Sequence, residues 1–191
     1  MDDKELLRLK NWVASQVSPR RLQHIQGVVG TSEKLAKRYG LPSDKARMAG
    51  WFHDCAKELS RAQMLGWIRK GKARLDPGER EMPALWHPHA GEAIARLQWG
   101  VRDPGILEAV RCHTLGNARM KPLAQLLFVA DFIEPTRVFP GVREARALAF
   151  QDIRLAVGLK ASMTIRFLLE KKMKIHPRLL GTWNGFCGVS R

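Results

Sequence analysis

The chain has 191 residues, with 33 Lys+Arg against 18 Asp+Glu and a formal net charge of +15. Its 45% apolar and 27% charged residues are a globular mix, which excludes disordered, collagen-like and disulfide-scaffold chains. The length suits one compact domain, and the positive balance points to a polyanionic partner: a nucleic acid, a nucleotide polyphosphate or an anionic membrane surface.

The first residues, Met1-Asp2-Asp3-Lys4-Glu5, lack the basic leader and apolar block of a secretory signal. Asp3 to Val17 reads as a short amphipathic helix with Leu6, Leu7, Leu9, Trp12 and Val13 on its apolar side. Ser18-Pro19, a cap followed by proline at the first helical position, predicts a second helix running to about Tyr39 and stopping at Gly40. Pro42 and Ser43 open a third, which carries Met48, Trp51 and Phe52 toward His53 and Asp54. Ser60 and Gln63 form a capping box for a helix through Trp67 and Ile68. Gly71 to Pro83 is polar, contains Pro77-Gly78 and reads as a loop. A helix from about Pro88 to Trp99 follows, then one begun by Asp103-Pro104 that reaches roughly His113. Leu123 to Ile133 is strongly apolar but too short to span a bilayer, and Glu134-Pro135 closes it. Pro140-Gly141 separates it from helical segments that continue to about Lys172. No stretch alternates with period two, so the expectation is an all-α fold.

Cys55, Cys112 and Cys187 form no CxxC pair, and their odd number suits a reduced, intracellular protein. With no leader and no spanning segment, a soluble cytoplasmic location is expected.

Ionisable residues sit within the apolar helices. His24 adjoins Ile25, His53-Asp54 closes the helix ending Trp51-Phe52, and His113 ends a helix containing Ile106, Leu107 and Val110. Asp131 lies inside Leu126-Leu127-Phe128-Val129-Ala130-Asp131-Phe132-Ile133, where a carboxylate must be paired, hydrogen-bonded or metal-bound. One histidine on an apolar helix is about as often a satisfied core residue as a functional one. Four histidines and two aspartates on different helices are harder to explain independently, and imidazole with carboxylate suits iron, manganese or zinc.

The order His24, His53-Asp54, His87, His113, Asp131 resembles the metal motif of HD-domain phosphohydrolases that hold two metals. Arg21-Leu22-Gln23-His24-Ile25-Gln26-Gly27-Val28, His53-Asp54-Cys55-Ala56-Lys57, His113-Thr114-Leu115-Gly116 and Ala130-Asp131-Phe132-Ile133-Glu134-Pro135-Thr136-Arg137 narrow the likeness to the YqeK family. That family comprises bacterial symmetrical diadenosine-tetraphosphate hydrolases, and the likeness extends from Pro19 to Asn184. It departs from the family pattern at Leu115, where a threonine is usual, and at His87-Pro88-His89-Ala90-Gly91, where His-Gly-Pro-Val-Gly is usual. His87 keeps the four-residue step to glycine and takes the ligand role, leaving His89 to back the site or lie exposed.

The resemblance implies a single HD helical bundle over residues 1–191, with a motif core of about 19–140 and C-terminal helices packing on it. It places His24, His53, Asp54 and Asp131 around one metal, with Asp54 bridging to a second held by His87 and His113. Two cations of this kind, commonly iron in such enzymes, lower the pKa of a bridging water and clamp a phosphoryl oxygen. Lys57 then meets a phosphate oxygen or assists the leaving group, Arg137 and Arg21 bind phosphate, and Thr114 supplies a hydrogen bond. Cys55 and Cys112 are expected to be small buried residues beside the site, the sharper alternative being a redox pair. His176 is expected at the surface, and Lys171, Lys172 and Lys174 at a solvated helix end. A homodimer is a further expected partner, its surface depending on the exposure of Trp12, Trp67, Trp86 and Trp99.

The leading expectation is hydrolysis of diadenosine tetraphosphate to two ADP by attack of a metal-bound hydroxide. A second is the same centre acting on another nucleotide or an alarmone. A third is a non-catalytic, basic nucleic-acid-binding protein, against which the positive residues are scattered and no nucleic-acid motif is present.

Overall fold

The computed structural model describes residues 3–188; Met1 and Asp2 of the opening segment lie outside them. The described residues form eleven α-helices and no strand, in the order α1 (Asp3–Gln16), α2 (Pro19–Arg38), α3 (Ser43–Phe52), α4 (Arg61–Lys70), α5 (Pro77–Glu81), α6 (His87–Leu97), α7 (Pro104–Cys112), α8 (Pro122–Ile133), α9 (Val142–Gln151), α10 (Ile153–Glu170) and α11 (Pro177–Phe186). The fold is all-α, as the periodicity predicts.

Local chemistry sets the helix starts. The Ser18 hydroxyl accepts from the Arg21 amide with Pro19 in the first turn of α2, Ser60 and Gln63 cap α4 reciprocally, and Asp103 accepts from Gly105 and Ile106 at the head of α7. The stretch read as a loop, Gly71 to Pro83, is a correction: it contains α5, followed by a 3-10 turn over Pro83–Leu85. Five residues are too few for a periodic apolar signal, and the Asp76–Glu79 capping box holds the short helix instead.

Helix α8 is the central rod. Leu126, Leu127, Phe128, Val129 and Ala130 are all buried, and the helix packs against α2, α3, α7 and α10, so its sequence is apolar all round. Surrounded in this way, it places Asp131 in the interior near the converging ends of α3 and α7.

The C-terminal helices close one side. A second apolar cluster of Leu85, Leu115, Ala161 and Leu179 joins α10 and α11 to the loops before α6 and after α7. Gly158 allows α11 to approach α10, since a Cβ there would run into the Phe186 carbonyl. His176 is a second correction. It is buried, accepts from the Arg178 amide as the cap of α11, and contacts Asp76 at 2.9 Å. Its partner lies 100 residues away in sequence, so local context gave no sign of burial. Lys171, Lys172 and Lys174 are exposed as expected.

Trp86 is buried and donates to the Glu79 carbonyl, Trp12 and Trp99 pack edge to face, and Trp67 is half-buried. These rings are engaged within the fold. No helix among the described residues is long and apolar enough to cross a membrane.

Candidate metal centre

Five elements deliver the six predicted ligands to one place. His24 lies on the buried stripe of α2 with Ile25 and Val28; His53 and Asp54 follow α3; His87 begins α6; His113 caps the end of α7; Asp131 is on the last turn of α8. They form two groups that could each hold a metal ion, His24 with His53 and Asp131, and Asp54 with His87 and His113.

Asp54 stands between the groups. Its Oδ2 is 3.7 Å from both His24 Nε2 and His53 Nε2, whereas its Oδ1 is 3.2 Å from His87 Nε2 and 3.5 Å from His113 Nε2. His24 Nε2 lies 3.2 Å from Asp131 Oδ1.

Backbone carbonyls fix the imidazole tautomers. The Nδ1 atoms of His53, His87 and His113 lie 2.7, 2.8 and 2.8 Å from the carbonyls of Gly50, Ala84 and Val110. A carbonyl only accepts, so each Nδ1 carries the proton and each Nε2 presents a lone pair. His87 Nε2 and His113 Nε2 are nevertheless 3.1 Å apart, lone pair toward lone pair, with Asp54 Oδ1 beside them. An arrangement of acceptors facing acceptors is what a shared cation resolves, and the donor set fits divalent metals.

The electrostatics agree. Burial pushes Asp54 upward, but His53, His113 and His87 outweigh it and hold the carboxyl well below the usual range. Asp131 is likewise held low, with Lys160, His24 and Arg137 overcoming burial. Burial drives His53 down to about 3 and His87 to about 4, so both rings are neutral at neutral pH. For His24, burial is outweighed by Asp131 and Glu134, and its pKa is raised.

The predicted substrate groups surround this centre. Arg21 donates to Asp54 Oδ2 at 2.8 Å, and Arg137 donates to Asp131 Oδ1 at 2.8 Å while remaining 40% exposed. Lys57 Nζ is 3.3 Å from the His87 ring, and burial lowers its pKa. Thr114 Oγ1 is 3.1 Å from His113 Nε2. A cleft of about 820 Å³ opens beside them, lined by Arg20, Arg21, His24, Arg137, Val138 and Phe139 among others.

Two residues that the sequence reading did not assign complete the setting. Lys160 on α10 is buried, and its Nζ donates to the Phe128 carbonyl at 2.6 Å, Asp131 Oδ2 at 3.0 Å and the His113 carbonyl at 3.2 Å. A lysine among Ala156, Val157 and Ala161 on an apolar face was the available signal. Glu134 is fully buried and lies 3.0 Å from His24 Nδ1. Gly27 leaves it room, as a Cβ there would sit 2.5 Å from Glu134 Oε2.

His89 is buried and 2.8 Å from Glu79 Oε1, so it backs the segment bearing His87 and is not exposed. Cys55 and Cys112 are free, buried thiols. Burial raises both, Cys112 to about 11, which leaves them protonated and unreactive at neutral pH.

The HD domain family model matches residues 21–136. The symmetrical bis(5'-nucleosyl)-tetraphosphatase of Bacillus subtilis is 37% identical over 172 residues, covering 90% of this chain and 92% of that one. Its namesake in Halalkalibacterium halodurans is 37% identical over 175 residues, covering 90% and 91%. A crystal structure from Clostridium acetobutylicum, described as a predicted HD superfamily hydrolase involved in NAD metabolism, superposes with a TM-score of 0.90 at 30% identity and covers 94% of this chain and 95% of that one.

Proposed function

The chain belongs to the HD domain family, and from that premise we propose that it is a metal-dependent hydrolase that converts diadenosine tetraphosphate symmetrically into two ADP. The observation that carries this reading is Asp54, held ionised between two groups of histidines at the edge of an arginine-lined cleft.

We assign His24, His53, Asp54 and Asp131 to one cation, and Asp54, His87 and His113 to a second. Iron is the proposed metal, with manganese and zinc compatible with the same donors. When bound, such cations acidify water and neutralise charge on a phosphoryl oxygen.

The protein's own groups bind, orient and supply protons. Arg21 and Arg137, each held by an aspartate of the centre, offer their remaining guanidinium N–H groups and their charge to the polyphosphate along the cleft wall. Thr114 offers a hydroxyl beside His113. Lys57, with its lowered pKa, holds a proton for the leaving phosphate oxygen. The oxygen of water bonds to one phosphorus beside the central bridge, the P–O bond to the bridging oxygen breaks, and ADP forms on both sides. Lys160, outside residues 21–136, anchors Asp131, which supports a role for α10 in the site. A cytoplasmic location belongs to the same reading.

The test is product analysis of purified, metal-analysed protein on a dinucleotide panel. Two ADP from diadenosine tetraphosphate is the expected result, with a loss of roughly 10²- to 10³-fold in Asp54→Ala. AMP plus ATP, or no turnover with metal loaded, overturns the assignment. Turnover of an alarmone in preference moves the substrate and keeps the centre.

A further inference from the structure

The cleft beside the metal-binding residues continues past Arg137. Phe139, in its wall, also lines a second cavity of about 520 Å³, formed by Phe132, Phe139, Pro140, Met163, Phe167 and a few polar neighbours. The two spaces differ in kind. The first is walled by Arg20, Arg21 and Arg137 together with Glu58 and Glu134, the second mainly by aromatic rings and a thioether, with Arg166 and Glu170 at its edge.

The scaffold sets how they join. Phe132 directly follows Asp131 on α8, and its ring packs against Phe139 with centroids 4.6 Å apart. On α10, Lys160 bonds Asp131, and Met163, Thr164 and Phe167 follow at +3, +4 and +7, continuing the same helical face. Seven residues advance about 10 Å along a helix axis. The apolar groove is thus framed by the two helices that carry Asp131 and Lys160, and Phe139 stands in the walls of both spaces. Phe167 is 53% exposed within it, apolar surface that a ligand would cover.

We infer that this groove receives one nucleobase of the nucleotide substrate, with Phe139 and Phe167 as its stacking residues. The inference rests on the hydrolase reading above. A base offers a flat π face to rings and thioether, and its phosphates then point along the shared wall toward Arg137. Base stacking on an aromatic side chain changes affinity by about 5- to 150-fold.

The experiment compares ADP with inorganic pyrophosphate by titration calorimetry on the intact, metal-loaded protein. ADP is expected to bind about 5- to 150-fold tighter, and that ratio is expected to fall toward one in Phe139→Ala and Phe167→Ala. Phe167 is exposed enough that its truncation leaves the core intact. A ratio unchanged in both variants, or equal binding of ADP and pyrophosphate by the unaltered protein, overturns the inference. Hydrolysis of diadenosine tetraphosphate is measured in parallel. If it proceeds while the ratio is unmoved, the groove assignment alone falls. If it is absent while the variants lose the preference for ADP, the groove stands as a nucleoside diphosphate site and the hydrolase reading falls.

Discussion

Two clusters of histidine and carboxylate are buried in this molecule, and they differ in how their acceptors are met. Around Asp76 and Glu79 the circuit is closed at the carboxylates: every carboxylate oxygen meets a donor, although Nδ1 on the far side of the His89 ring has no partner. Arg178 reaches Asp76 Oδ2 at 2.7 Å and Glu79 Oε1 at 2.9 Å, His176 meets Asp76 Oδ1 at 2.9 Å, and His89 meets Glu79 Oε1 at 2.8 Å. The two carboxylates also accept each other's backbone amides. Around Asp54 and Asp131 the circuit is open: imidazole Nε2 atoms whose protons sit on Nδ1 point at one another and at carboxylate oxygens. Residue types are alike in the two places, although the Asp76 side chain is 37% exposed where that of Asp54 is 5% exposed. The balance of donors and acceptors separates a structural clamp from a site that calls for cations.

Lys160 gives the largest test of that contrast, because it is the one ammonium buried against the open cluster's Asp131 among the described residues. Lys160→Met removes the buried one of the two cations on Asp131 and leaves the part-exposed Arg137, and the metal-free protein is expected to lose about 3 kcal/mol in urea unfolding. Divalent cation should shrink that loss, since a bound cation supplies the missing positive charge and stabilises the folded state. An equal loss with and without metal would show that Lys160 and the cation do not share Asp131.

Glu134 offers a smaller lever. Its carboxylate fixes His24 Nδ1–H and, with Asp131, raises the basicity of the ring against the effect of burial. Glu134→Gln should weaken metal at the His24 group by about 10- to 100-fold while the Asp54–His87–His113 group keeps its affinity. Competition titration with a chelator reads both. Equal weakening of both groups would mean that they bind as one coupled unit.

How far these clusters were legible in the sequence follows from the range of the forces that build them. His24, His53, Asp54, His113 and Asp131 could be picked out because each stands within or at the end of an apolar helix, whereas His87 came only with the likeness to the HD motif order. Ser18, Ser60 and Asp103 could be read because a cap acts within three residues. Lys160 and His176 escaped because what buries them, Asp131 and Asp76, lies 29 and 100 residues away. Glu134 read as a helix closer beside Pro135, and only its approach to His24, 110 residues apart, gives it a role. Helix α5 was hidden by its length, although Asp76 and Glu79 stand at capping-box spacing.

The closed cluster makes the smallest prediction. Asp76 and Glu79 both titrate at about 2. In each, burial is outweighed, by hydrogen bonds from the other's amide and from His176 or His89, and by Arg178. Carboxyls held below their unfolded values add stability that is complete above about pH 4.5 and is lost as the pH falls toward 2. Glu79→Gln should therefore cost about 2 kcal/mol at neutral pH and flatten the acid limb of the unfolding curve between those limits. Hydrolysis and metal content should stay at the level of the unaltered protein, because Glu79 touches no ligand of the open cluster. One path could join the two clusters. The Glu79 carboxylate meets His89 at 2.8 Å, and His89 stands two residues after His87 on α6. Loss of one metal equivalent in Glu79→Gln would show that the clamp steers His87 and would erase the division between structure and site; unchanged metal content with a flattened acid limb would keep it.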